Sequence, residues 1–355
     1  MLLILWDCTR KFFITYTAYY GGLYMKKRSS NQKLKSIGSF VLILILLPYV
    51  ITVFIHGLHF EKMDKNSQKY VIVKLENQTE EKNLQEVSWE EYLIGILAKD
   101  MPKTYHREAL KAQVVLIRSN LYEQSKGDLE DYIFTEPYLS TEELERKWGI
   151  ENFEETYKKF LEAVEETGEQ VLCYEGQIAW TPFHQSSNGM IRSAKETLGS
   201  DTYPYLVQKE CPRDKEAEAE LHAYVFEYTD IKEKCRAFLV AAEGEEAAKK
   251  EITIEDFEIQ AKDSAGYVSA LRIGNTICTG DQFRDALSLS SSDFSLQDDD
   301  GRLKITTTGN GHGLGMSQWT ANIMAEEGSN YGEILQFFFE GTELLEGGEI
   351  FSKEE

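Results

Sequence analysis

The sequence predicts a mixed α+β fold: a two-lobed extracytoplasmic domain with a pair of helices packed on antiparallel sheet, preceded by a single transmembrane helix. Three observations predict it. Residues 36–60 contain no Lys, Arg, Asp or Glu. Helical periodicity runs through Ser88–Tyr122, and strand-like alternation with turn residues dominates from 169 onward. A chain of 355 residues, 42% hydrophobic and 12% aromatic, has enough apolar surface for one large core and room for two lobes.

The apolar run at 36–60 is about long enough to cross a ~30 Å hydrocarbon layer as a helix. Lys26, Lys27, Arg28, Lys33 and Lys35 precede it, so the positive-inside tendency leaves 1–35 in the cytoplasm and everything after about residue 60 outside. A cleaved signal peptide is the competing reading. Met25-Lys-Lys-Arg resembles a natural start, which would leave 1–24 untranslated. Residues 61–69 read as a polar tether, 70–345 as the main domain and 346–355 as a tail. Acidic helical insertions are expected near 128–167 and 215–250, the second as solvated surface.

The formal charge is −22. The first 57 residues hold seven Lys/Arg and one Asp, leaving 31 basic and 59 acidic residues beyond them, a net −28. Such a surface argues against nucleic acid, whose binding rests on neutralising phosphates. The five cysteines, at 8, 173, 211, 235 and 278, have neither zinc-ribbon nor dense disulfide spacing, and a single bridge among the last four stays open. Nothing in the sequence calls for a cofactor.

Ser88 and Glu91 have capping-box spacing, and Trp89, Tyr92, Leu93, Ile96 and Leu97 mark a buried helical face that Pro102 ends. Leu110, Val114, Ile117 and Leu121 mark a second helix, with Lys111 and Arg118 on another face. Asp100 falls at the carboxyl end of the first helix, where the helix dipole favours the protonated acid. A proton donor to a glycosidic oxygen needs that bias. YVIVKL at 70–75 reads as a strand, and Glu175-Gly176 as the turn of a hairpin leading to the polar loop His184-Gln185-Ser186-Ser187-Asn188-Gly189. Further strands are expected from Ile252, with turns at 263–266, 274–275 and 298–301 and a short helix after Thr279. The 298–301 acids lack the later ligands of a calcium loop.

The last motif is Gly309-Asn-Gly-His312-Gly-Leu-Gly315-Met-Ser-Gln318-Trp319. It lacks the third glycine of a dinucleotide loop and the flanking glycines of a nucleophile elbow. Its glycines let backbone come close to a ligand or another strand, and His312 and Gln318 offer donors and acceptors suited to sugar hydroxyls and amides. A zinc peptidase built on His184 and His312 would lack any H-x-x-x-H or H-x-H pair.

Three ordered blocks resemble the stage II sporulation protein D family. These are Glu90-Glu91-Tyr92-Leu93-Ile94-Gly95 through Asp100-Met101-Pro102 and Glu108-Ala109-Leu110-Lys111-Ala112-Gln113 to Arg118; His184 to Gly189 with Pro204-Tyr205-Leu206; and Gly309 to Trp319. The resemblance implies a membrane-anchored lytic transglycosylase that cuts peptidoglycan strands stripped of their stem peptides, acting in engulfment during sporulation beside membrane-protein partners that include an amidase. It implies Asp100 as the catalytic acid, although the family has Glu there. It implies Lys111, Arg118, His184, Ser186, Ser187, His312 and Gln318 as substrate-binding. A glycan-binding scaffold for a partner amidase is the alternative, because Asp100 is one methylene short.

Overall fold

The computed structural model describes residues 69–75, 84–217, 220–244 and 251–351. The span expected at 36–60, the tether apart from Lys69, and the possible late start lie outside the described residues. Among the described residues no helix is long and apolar enough to cross a membrane.

The fold is mixed α+β, with several small sheets rather than one large one. The expected strand β1 (Tyr70–Lys74) pairs antiparallel with β2 (Leu84–Ser88), which leads straight into helix α1 (Trp89–Asp100). The Ser88 hydroxyl accepts from the Glu91 amide, but the capping box is only half made: Glu91 accepts instead from the Thr141 hydroxyl at 3.0 Å. Helix α2 (Arg107–Ser125) follows the Pro102 break and buries Leu110, Val114, Ile117 and Leu121 as its spacing predicts. β3 (Ile133–Phe134) then joins β1 in parallel.

The acidic stretch after Asp128 holds helices α3 (Thr141–Trp148) and α4 (Ile150–Glu166). Both are structural rather than appended, since Leu144, Trp148, Phe160 and Val164 are buried in the main core. β4 (Gln170–Tyr174) and β5 (Gln177–Ile178) form the expected hairpin, with Glu175 and Gly176 both at positive φ. β6 (Phe183–His184) lies parallel to Met316–Ser317, so the second and third motif blocks are neighbours in one two-stranded sheet.

Two hydrophobic clusters form. The main one draws on residues 71–211 and returns with Leu314–Phe339; the second is built between Ile231 and Ile305. The 215–250 stretch differs from expectation. It contains the strand Leu221–Phe226, paired along its length with Arg302–Thr308, before two short helices. His222, Tyr224 and Phe226 alternate in partial burial, a period-two signal hidden by the Glu and Ala around it. Cys173, Cys211, Cys235 and Cys278 are all buried and free, so no bridge forms among these four.

Candidate functional site

Asp100 is the last residue of α1, and Pro102 forces the chain away from the helix axis immediately after it. The result is a hollow of about 430 Å³ lined by Lys99, Asp100, the 101–105 turn, Lys147 and Trp148 from α3, and Gln185 and Gln318 from the second and third motif blocks. Four segments far apart in sequence therefore meet around one carboxyl group, whose side chain is 21% exposed.

The turn carrying the hollow's floor is fastened from two sides. Lys159 of α4 donates to the carbonyls of Lys103 and Tyr105 at 2.9 and 2.5 Å. Asn322, on the Gln318–Glu326 helix, accepts from the His106 amide at 2.6 Å. Lys147 donates to the Ala98 carbonyl at 2.7 Å, satisfying one of the free carbonyls at the end of α1.

The Asp100 carboxyl is held above the ordinary aspartate range, as a proton donor needs. Burial is the main cause; Lys99 and Lys147 oppose it and Glu136 reinforces it. Desolvation in the hollow thus leads, where the sequence pointed to the helix terminus.

The polar loops behind the hollow are organised by Asp214, which the sequence did not single out. It is fully buried in the 3-10 turn Pro212–Glu216. One oxygen accepts from the Ser187 amide and hydroxyl at 2.6 and 2.5 Å, the other from the Ser317 and Thr320 hydroxyls at 2.7 and 2.6 Å. Ser187 is therefore committed to this knot and faces no groove. Ser186, also buried, exchanges backbone bonds with Asn310. Gln185 remains as the loop's contribution to the hollow, its oxygen accepting from the Asn310 amide at 2.6 Å.

The two histidines lie behind the hollow rather than along it. The His184 Nδ1 proton donates to the Leu314 carbonyl at 3.0 Å, and Nε2 is buried without a partner among the described residues. His312 accepts from the Leu314 amide at 3.1 Å, with its ring 5.7 Å from that of His184. Burial lowers His184 to about 4; burial, then the neighbouring His184, lowers His312 to about 3. Both are neutral at physiological pH. The glycines serve close backbone approach, as at Gly315 (φ +70°), where a Cβ would meet the Pro182 carbonyl at 1.9 Å.

The two basic residues expected on substrate are engaged elsewhere. Arg118, 1% exposed, donates to the carbonyls of Gln170 and Val164 and to the Thr167 hydroxyl, closing the turn between α4 and β4. Lys111 is paired with Glu108 at 2.7 Å and Glu166 at 2.6 Å. The cations that border the hollow are Lys99, Lys103 and Lys147. Of the residues expected at the site, Asp100 and Gln318 meet there; His184, Ser186, Ser187 and His312 support it from behind, and Lys111 and Arg118 brace the helices.

A buried arginine joins this region to the second hydrophobic cluster. Arg192 donates to Asp263 at 2.7 Å, to Asp281 at 2.9 and 3.1 Å and to the His312 carbonyl at 3.2 Å, with its guanidinium 4.9 Å from the centre of the Tyr267 ring. A lone Arg after Met-Ile carries no sequence signal that would have marked it.

A model of the stage II sporulation protein family matches residues 77–174, a range that runs through α1, α2 and the acidic helices. The chain is 30% identical over 285 residues to stage II sporulation protein D of Bacillus subtilis (strain 168), covering 78% of this chain and 79% of that one. It is 28% identical over 294 residues to the protein of that name in Bacillus amyloliquefaciens, with the same coverage. It is 24% identical over 295 residues to the amidase enhancer of Bacillus subtilis, covering 71% of this chain and 40% of that protein.

Proposed function

The chain belongs to the stage II sporulation protein D family, and on that premise we propose that it is a membrane-anchored lytic transglycosylase acting on denuded peptidoglycan strands in engulfment during sporulation. The observation that carries the proposal is a single carboxyl group, desolvated and opening on a hollow walled by Gln185, Gln318 and Tyr105. In this reading the Asp100 carboxyl gives its proton to the glycosidic oxygen as the bond from C1 to that oxygen breaks. The muramoyl 6-hydroxyl adds to C1, and its proton passes to the Asp100 carboxylate. The product end is a 1,6-anhydro sugar, no water enters, and the acid is restored. One carboxylate suffices because the attacking group belongs to the substrate, unlike the paired acids of hydrolases.

The N-terminal segment would hold this domain outside the membrane, beside an amidase that strips the strands. A second reading is a glycan-binding scaffold that promotes such an amidase. It is favoured by the likeness to a protein named for amidase enhancement and by the short acid at position 100.

Incubation with denuded glycan strands separates the two. Anhydro-muramoyl products from the chain, and none from an Asp100→Asn variant, support the enzyme. Co-sedimentation with strands and no new ends from either protein supports the scaffold.

A further inference from the structure

Lys99 is the residue beside Asp100, and its ammonium has two carboxylates within reach. Nζ lies 3.4 Å from Glu136 Oε1 and 3.9 Å from Asp100 Oδ1. A lysine on so flexible a stem can close fully on either. Closing on Asp100 would favour its ionised form and remove the proton that a general acid must carry.

The fold puts Glu136 where it can compete. Its backbone is pinned to α1 by the buried Tyr92, whose hydroxyl donates to the Glu136 carbonyl at 3.0 Å. Three residues on, the Leu139 amide donates to the Gly95 carbonyl at 3.2 Å. Between them the Tyr138 ring packs edge-on against Tyr92, with centres 5.3 Å apart. Gly95 permits this strap: a Cβ there would sit 2.5 Å from the Leu139 carbonyl oxygen and 2.7 Å from the Tyr138 ring. Lys99 is one helical turn beyond Gly95, on the same face of α1. The strap therefore delivers the Glu136 carboxylate to the lysine, and Glu136 itself does not line the hollow.

We propose that Glu136 is a positioning residue for the candidate acid: it holds the Lys99 ammonium off Asp100 and so keeps that carboxyl able to donate. The other charged or titratable groups facing Asp100 are Lys147 of α3, tied to the Ala98 carbonyl, and Lys103 and Tyr105 of the turn. Among the described residues none of these forms an ion pair with Glu136, whereas Lys99 pairs with both carboxylates and so links Glu136 to Asp100 beyond the repulsion of one charge by the other. The consequence for turnover rests on the proposed function; the protonation of Asp100 does not.

The test is aspartate-selective ¹³C carboxyl NMR of the full chain across pH, with the Asp100 signal assigned by its loss in Asp100→Asn. Glu136→Gln should weaken proton binding at Asp100 about threefold to tenfold, the scale of a partly exposed pair. In a Lys99→Met background the same change should have less than about half that effect on a logarithmic scale, because the cation to be held is gone. Glu136→Asp keeps the charge but shortens the reach, and should weaken proton binding in the same direction. Equal effects of Glu136→Gln in both backgrounds, or no effect of Glu136→Asp, would overturn the proposal by showing that Glu136 acts only as a distant charge. The titration needs no substrate, so its result is independent of whether denuded strands are cleaved.

Discussion

Gln318 Nε2 donates to Gln113 Oε1 at 3.2 Å, with both side chains buried, and this bond ties the Gly-rich signature to the middle of α2 beside the Asp100 hollow. The Gln113 amide nitrogen has no partner of its own among the described residues, so its side chain is placed by this one contact. Gln318→Ala should leave a second buried polar atom unpaired. A loss of about 1–3 kcal/mol in urea unfolding is expected, together with weaker glycan binding. Unchanged stability would mean that water or a shifted Gln185 replaces the bond.

Asp100→Glu tests the short acid. The added methylene advances the carboxyl by roughly an ångström, and errors of that size in a reacting group can cost around a hundredfold. Turnover on denuded strands should rise by about tenfold or more in the glutamate variant. A fall would show that this chain's hollow is shaped around aspartate.

Arg192 is predicted to matter for folding and for the His312 loop together. Asp263 is as buried as its partner, with side chains 3% and 4% exposed, so Arg192→Ala leaves a carboxylate without its cation. A cost of about 3–5 kcal/mol follows, readable by chemical denaturation. Pairing the change with Asp263→Asn should recover part of it, because the uncompensated charge is then gone.

His184, buried, and His312, partly buried, set an acid limit. Their folded values, about 4 for His184 and about 3 for His312, lie below the ordinary 6.5, so between those values the unfolded chain binds more protons than the folded one. Stability contributed by the neutral rings is present above about pH 6.5 and is lost as pH falls toward about 4 for His184 and about 3 for His312, at up to roughly 1.4 kcal/mol per pH unit for each ring. Unfolding midpoints measured from pH 7.5 to pH 5 should fall along that slope, and His184→Gln should flatten it.

The local elements were largely legible. The break at Pro102, the buried face of α2, the Glu175-Gly176 hairpin and the short helix after Thr279 all follow from periodicity and turn chemistry that act over a few residues. The placement of Asp100 at the end of α1 was legible for the same reason. The strand at Leu221–Phe226 was not, because its apolar alternation is diluted by Glu and Ala and becomes decisive only when Arg302–Thr308 pairs with it.

The side-chain partners were illegible in a deeper sense. Motif matching gathers residues that belong together without saying which face the ligand and which hold the scaffold. Lys111 and Arg118 stand in the same block as Asp100, yet Glu108, Glu166 and three oxygens between Val164 and Gln170 claim them. Asp214, Asn322 and Lys159 carry the loops of the site while standing in no motif.

By itself the sequence determined the helix that ends on Asp100, the break at Pro102 and the buried face of α2, because each depends on short-range backbone preference or residue type. Tertiary structure alone decided that burial is the main cause holding the Asp100 carboxyl above its ordinary range, that the histidines stand behind the hollow, and that Lys99 has a second carboxylate to choose. Those outcomes depend on solvent exclusion and on distances between segments far apart in the chain, and neither quantity is written in any local pattern.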